Sequence, residues 1–287
     1  MAVKAQKTYT VSVAPRSSGS EFHAAIADLS EPHDLVRLMA GSMAFVTPRE
    51  TCGLRALIEY AARQSEEVVL DCPTDRDVHV YLERIDFYKD LPSNVALSHP
   101  RPEVRRKDRR ADLIEVTRIA SEEDVGTLME RVSTVAKPQL GSGPVANAFT
   151  TAVTEATENV VSHADSPIGA VVAAQRYDRT GLELSVIDLG AGIPATLARN
   201  PAHRGLADLA AIERALEDGV SSINEPGRGA GLWRLAEAVC RGRNATLVIG
   251  SGNGELGLAW ENGRRRRYAA VPAIGIRGTW IWIRIAA

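Results

Sequence analysis

Residues 150–164 read TTAVTEATENVVSHA. At about 3.6 residues per helical turn, Glu155, Asn159 and His163 fall one above another, so a carboxylate, an amide and an imidazole share one face. Phe149, Ala152, Val153, Ala156 and Val160 form a neighbouring apolar stripe. One stripe can pack while the other stays polar. Taken alone, such a polar stripe is equally the solvated face of an ordinary helix. Its meaning depends on two glycine-rich segments further along the chain.

Just upstream, Gly141-Ser142-Gly143-Pro144 breaks the chain before this helix. Downstream, Ile168 to Ala174 and Leu182 to Ile187 read as two strands joined through a polar turn at Asp178 to Gly181. The second strand runs into Asp188-Leu189-Gly190-Ala191-Gly192-Ile193-Pro194. An acid at a strand end followed by alternating glycines lets backbone approach a flat or anionic ligand, while the carboxylate accepts hydrogen bonds from an amino group. A long segment, Ala195 to Pro226, follows, with one helix expected through Leu209, Ile212 and Leu216 and closed by Gly219. Ser221 and Ser222 then lead into Gly227-Arg228-Gly229-Ala230-Gly231-Leu232. A helix bearing Leu232, Leu235, Ala236 and Val239 on one face should begin there. Glycines at a helix N-terminus leave backbone N–H groups free for phosphate oxygens. The cluster lacks the Lys-Ser/Thr of a Walker motif and is not the GxGxxG of a dinucleotide fold. The carboxyl end reads as strands: Thr246 to Ile249, Leu256 to Trp260, an Asn262-Gly263 hairpin signal, Tyr268 to Val271, and Gly278-Thr279 opening Trp280 to Ile285.

The amino-terminal part carries a different rhythm. Tyr9 to Val13 alternates as a strand, and Ser17 to Ser20 reads as a loop. Phe45-Val46 is a short apolar run stopped by Pro48. Leu54, Leu57, Ile58 and Ala61 give an amphipathic helix, Val68-Val69-Leu70 a buried strand, and Thr74 with Asp77 a capping box before Val78, Tyr81, Leu82 and Ile85. Strand, helix, strand, helix is the pattern of a small α/β layer. Pro92, Pro100, Pro102 and the charged run Arg105 to Arg110 mark a boundary, giving an α/β domain at 1–100, a basic linker at 101–110 and a second domain at 111–287. Leu113 to Ile119 then alternates as a strand, and Ser121 with Asp124 caps a helix carrying Val125, Leu128, Met129 and Val132.

A chain of 287 residues, 45% hydrophobic with a formal charge of −2, is expected to be globular and long enough for two cores. Its charge implies no polyanionic partner, and the short basic run, without interleaved aromatics, does not call for nucleic acid. No segment has the apolar length of a signal peptide or a membrane span, so a cytoplasmic protein with no membrane attachment is expected. Cys52, Cys72 and Cys240 include no CxxC pair, which disfavours a disulfide framework or a cysteine zinc site. Arg264 to Arg267 is either a docking face for an acidic partner or a charged edge strand guarded against aggregation.

Taken in order, Glu155 to Ala164 (ExxxNxxxHA), Asp188 to Ile193 (DxGxGI), Gly227 to Leu232 (GxGxGL) and the late Gly278-Thr279 resemble the motifs of the GHKL ATPases. The resemblance covers residues 111 to the end and is nearest to bacterial anti-sigma-factor serine kinases. It implies an α/β class with a two-layer sandwich at 111–287, binding ATP and Mg²⁺. Asn159 would be the metal ligand and Glu155 the catalytic base. Asp188, assisted by Thr279, would accept the adenine amino group, with Gly190, Gly192 and Ile193 forming the turn beside the base. Gly227, Gly229, Gly231 and Leu232 would cradle the phosphates, Ala195 to Pro226 would close as a lid, and His163 would be structural.

More loosely, residues 40–92 resemble a STAS-type domain, the fold of anti-anti-sigma regulators. GLRALIEYA at Gly53 to Ala61 stands where such domains begin a helix, and Thr51 lies where they can be phosphorylated, its alternative being an ordinary N-terminal helix residue. The implied function is transfer of the γ-phosphate to a Ser/Thr of an anti-anti-sigma or sigma-like protein partner. An ATP-gated binding module with slow or incidental hydrolysis is the alternative, and a homodimer is left open. A sensor histidine kinase is disfavoured. His33-Asp34-Leu35-Val36-Arg37 resembles a phosphoacceptor box, but Pro32 precedes it and an α/β layer follows.

Overall fold

The computed structural model describes residues 7–13, 20–104, 109–220, 231–240, 244–261 and 264–287, and the protein is mixed α/β. Its first part runs β1 (Thr8–Ser12), α1 (Ser20–Asp28), β2 (His33–Met39), α2 (Pro48–Gln64), β3 (Ser65–Asp71), α3 (Arg76–Arg84) and β4 (Val95–Leu97). These four strands lie side by side in chain order, all parallel. Parallel neighbours need long crossovers, which α1, α2 and α3 supply.

The second part runs β5 (Leu113–Ile119), α4 (Glu122–Leu140), α5 (Pro144–His163), β6 (Ala170–Tyr177), β7 (Gly181–Asp188), α6 (Gly192–Leu197), a short 3₁₀ turn at Pro201–His203, α7 (Asp208–Ala215), α8 (Gly231–Cys240), β8 (Ala245–Gly252), β9 (Gly254–Glu261), β10 (Arg264–Ala270) and β11 (Ile276–Ile285). Its strands form one antiparallel sheet in the order β10-β9-β8-β11-β7-β6-β5.

Side chains alternate across a strand, and here both faces of β6, β7 and β11 are covered, while the edge strand β10 is exposed throughout. Ala170, Val172, Ala174, Leu184, Val186, Ile281 and Ile283 meet Leu128, Val132, Phe149, Val153, Leu235 and Val239 of α4, α5 and α8. On the opposite face Val171, Ala173, Ile187 and Trp280 share one buried cluster with Phe22, Ile26, Leu54, Leu57 and Ile58 of α1 and α2. This explains why β6 reads as an unbroken AVVAA instead of alternating apolar and polar residues. Burial of Leu54, Leu57 and Ile58 contributes on the order of 6 kcal/mol at about 2 kcal/mol each.

Local chemistry accounts for the helix starts. Pro48 sits in the first turn of α2, where a missing N–H costs nothing, and Thr47 with Glu50 forms a capping box. Ser121 and Asp124 do the same for α4. Gly141, with φ +80, ends α4, and Pro144 opens α5.

Several expectations are corrected. The strand ahead of α2 is His33–Met39, while Phe45-Val46 is loop, because Val36 and Leu38 alternate into the core whereas Phe45 is exposed. The same strand holds His33 to Arg37, so no helical phosphoacceptor box exists there. The α3 cap is Asp75, whose carboxylate accepts from the Asp77 and Val78 amides; the Thr74 hydroxyl instead donates to the Gly41 carbonyl. Gly53 and Thr51 lie inside α2, not before it. The Thr51 hydroxyl is buried and donates to the Thr47 and Pro48 carbonyls. Residues 92–104 contain β4 and are anchored by Arg101, which grips both Glu83 oxygens at 2.8 Å.

Candidate functional site

Asp188 is the last residue of β7 and is 2% exposed. It pairs in register with Ala170 on β6 and Thr279 on β11, so a carboxylate closes an inner strand of the sheet. Oδ1 accepts from the Gly190 amide at 2.7 Å. Burial lifts its pKa from 3.8 to about 6, against the opposing effect of hydrogen bonds from Gly190 and Thr279.

The turn after Asp188 needs its glycines. Gly192 has φ +77, and an added Cβ would lie 2.6 Å from Ser251 Oγ and 2.8 Å from the Gly278 carbonyl. A Cβ on Gly190 would lie 2.1 Å from the Ala164 carbonyl. That carbonyl, at the C-cap of α5, accepts from the Ala191 amide at 2.7 Å. Two of the motif segments are therefore in direct backbone contact. Ser166 adds to this junction by accepting from the Leu189 amide at 3.2 Å.

Glu155, Asn159 and His163 do share one face of α5, as the spacing requires. Asn159 is exposed, and Glu155 is half-buried and paired with Arg234. Arg234 lies in the first turns of α8, whose first residue is Gly231. α8 thus packs beside α5 and brings the end of the second glycine cluster to the same side of the sheet. Leu232 is partly buried against that core. Gly227 and Gly229 lie outside the described residues. His163 contributes its carbonyl, which accepts from Arg199 at 2.9 Å, while Arg199 also pairs with Asp165 at 3.0 Å.

Ser251 is a member of this constellation that sequence reasoning missed. Fully buried on β8, it donates to the Gly278 carbonyl at 2.6 Å and accepts from the Ile193 amide at 2.9 Å. Its only signal was a polar residue between two glycines in an apolar strand. Arg234 was equally unmarked.

The segment expected to close as a lid is partly fixed. Within Ala195 to Pro226, α7 buries Ala211 and Ile212 in the core, and Asp208 at its start accepts from the Asn253 amide at 2.7 Å. Apolar burial and this hydrogen bond seat 208–215 on the core in this conformation; residues 221–226 lie outside the described set.

Among the described residues no group of three or more His, Cys, Asp and Glu could hold a metal ion. An exposed amide such as Asn159 suits Mg²⁺, which keeps several waters and takes few protein ligands. On the far face of the large sheet lies a narrow crevice lined by His23, Arg49, Ser185, Glu255, Trp280 and Trp282. There burial, aided by the Arg49 charge, depresses the His23 imidazole to about 4, so it packs edge-on against Trp280 as a neutral ring. No helix among the described residues is long and apolar enough to cross a membrane. No family model matches the chain, and no curated protein matches it.

Proposed function

We propose that this protein binds Mg·ATP in a GHKL-type pocket bounded by α5, the Asp188–Gly192 turn and the start of α8. The observation that carries the proposal is the buried Asp188 carboxylate, at a strand end, beside a glycine turn docked on the helix that bears Glu155 and Asn159. A carboxylate kept from water, with positive-φ backbone next to it, suits recognition of a flat base bearing an amino group. Thr279 would assist Asp188, and Gly190, Gly192 and Ile193 would border the base. Gly227, Gly229, Gly231 and Leu232 would receive the phosphates. Asn159 would hold Mg²⁺, which offsets phosphate charge.

The activity proposed is transfer of the γ-phosphate to a Ser/Thr hydroxyl of a cytoplasmic protein partner, in an anti-sigma-type switch. Glu155 would take the hydroxyl proton as the oxygen attacks the γ-phosphorus and ADP leaves. A second reading, an ATP-gated binding module with slow turnover, is favoured by one observation: the Glu155 carboxylate is engaged by Arg234 and must part from it before acting as a base.

Calorimetric titration with ATP, with and without Mg²⁺, tests the pocket. Asn159→Ala should remove the Mg²⁺-dependent part of the affinity; unchanged Mg·ATP binding would refute the site. Glu155→Gln should keep binding. If phosphate transfer or release persists undiminished in that variant, Glu155 is not the base.

A further inference from the structure

The turn that carries Asp188 is held from behind by a residue outside every motif. Between Ile276 and Thr279 the β11 pairing with β8 slips, so Arg277 and Gly278 bulge out of the ladder. Gly278 has φ +73, and an added Cβ would lie 2.1 Å from the Asp188 carbonyl. The bulge aims Arg277 at the Leu189 carbonyl, which accepts from Nε at 3.1 Å. Leu189 lies between Asp188 and Gly190, and its amide is already bound by Ser166. Arg277 thus fixes the remaining backbone polar group of the residue between Asp188 and Gly190, whose amide binds the carboxylate.

The other end of the same guanidinium reaches the amino-terminal layer. Nη1 donates to the Tyr60 hydroxyl at 2.7 Å, and the guanidinium carbon lies 4.7 Å from the Tyr60 ring centroid. Tyr60 is on α2 and is 2% exposed, so it cannot drift away without opening the α2 interface. The Arg277 carbonyl accepts from Trp280 Nε1 at 3.3 Å, and Trp280 packs against Phe22 and His23 of α1. A rigid fork with donors in two directions fits this bridging task in a way a lysine does not.

We propose that Arg277 is a positioning residue of the nucleotide site, through which the seating of α2 on the large sheet sets how well Asp188 recognises the base. The proposal rests on the Mg·ATP reading. It differs from that reading because neither Arg277 nor Tyr60 touches the nucleotide; they act through the Leu189 carbonyl. Loss of the link therefore weakens recognition of the amino group specifically. Inosine triphosphate puts a carbonyl acceptor where adenine has its amino donor, so it cannot make that hydrogen bond to Asp188 and serves as the comparison ligand.

The test compares ATP and inosine triphosphate affinities for the full chain and for Arg277→Ala, Arg277→Lys, Tyr60→Phe and Asp188→Asn, with melting temperatures recorded for each. Arg277→Ala should lower ATP affinity about tenfold and Tyr60→Phe about threefold, with inosine triphosphate affinity little changed. Arg277→Lys should not restore the ATP preference, and Tyr60→Phe should add nothing in the Arg277→Ala background. Equal loss of both nucleotides would make Arg277 merely structural and overturn the proposal. So would unchanged ATP affinity in Arg277→Ala while Asp188→Asn fails to bind, although the site itself would then stand. If the full chain binds neither nucleotide, the pocket reading falls. The physical link is then decided by hydrogen exchange at Gly190 and Ala191: faster exchange in Tyr60→Phe upholds it and unchanged exchange overturns it.

Discussion

Replacing Asp188 by Asn should make the protein more stable and, on the proposed function, unable to recognise ATP. The carboxylate is almost wholly buried, and burial lifts its pKa from 3.8 to about 6. That displacement corresponds to about 3 kcal/mol of unfavourable charge burial. The sign follows from proton binding. Below about pH 4 the carboxyl is protonated in both folded and unfolded chains, and nothing is lost. Between pH 3.8 and about 6 the folded chain keeps its proton while the unfolded chain releases it, so stability falls as pH rises. Above about 6 the full cost is present. Asn carries no charge and keeps an oxygen to accept from the Gly190 amide.

Urea unfolding of both proteins should therefore show a stability gain for Asp188→Asn that is near zero at pH 4 and approaches about 3 kcal/mol by pH 7. In the same variant an amide N–H would face the exocyclic amino group of adenine, donor against donor, and ATP affinity should fall about a hundredfold. A functional residue held at a cost to the fold has this signature. A destabilised Asn variant, or a gain that does not vary between pH 4 and 7, would refute the argument from burial. A stabilised variant with undiminished ATP affinity would leave the burial argument intact and remove Asp188 from the base pocket.

Three other outcomes follow from close contacts. Gly192→Ala forces a positive-φ residue to carry a Cβ 2.6 Å from Ser251 Oγ, and should lose about 2 kcal/mol in urea unfolding together with nucleotide binding. Gly53→Ala places a methyl 2.6 Å from the Phe22 ring inside the α1–α2 contact, and should cost about 1 to 3 kcal/mol in urea unfolding. Production of residues 111–287 alone would uncover Val171, Ala173, Ile187 and Trp280. That fragment should bind an apolar dye and unfold without a sharp transition; cooperative melting of a dye-free monomer would show that the second part needs no cover.

Where local chemistry decides a structure, the sequence was readable. The ExxxNxxxH spacing and the apolar stripe of α5, the Leu113–Ile119 strand and the Ser121–Asp124 box all depend on neighbours within a turn or two. The missed elements divide into two kinds. Phe22, Ala25, Ile26 and Leu29 stand at i, i+3, i+4 and i+7, a helical signal for α1 that was present and overlooked behind a Ser/Gly-rich stretch. α6, which opens at Gly192 and contains Pro194, straddles the glycine motif and the segment after it, for which a helix was expected only through Leu209 to Leu216. The second kind could not be read at all. That Ser251 bridges Gly278 to Ile193, that Arg234 meets Glu155, and that Arg277 spans Leu189 and Tyr60 depend on strand order, with partners 27 to 217 positions apart. Of the candidate site, Asp188, Gly190, Gly192, Ile193 and Thr279 come together around one turn, and Glu155 and Asn159 lie on the helix docked against it.

The strand that closes this turn also packs against the amino-terminal layer. On β11, Thr279 pairs with Asp188, while the next residue, Trp280, belongs to the cluster containing Phe22, Leu54 and Leu57. Alternation across the strand sends one residue to the candidate pocket edge and its neighbour to the α1–α2 interface, and Arg277 joins the same two places through its side chain. On the proposed coupling through Arg277, a ligand that tightens the Asp188 turn also tightens the seating of α2, since a coupling free energy acts equally in both directions. A partner that bound α2 more strongly when it was lifted from the sheet would weaken nucleotide binding by the same factor by which nucleotide weakened the partner. The covered second face thus provides a route by which the amino-terminal layer can govern the candidate site.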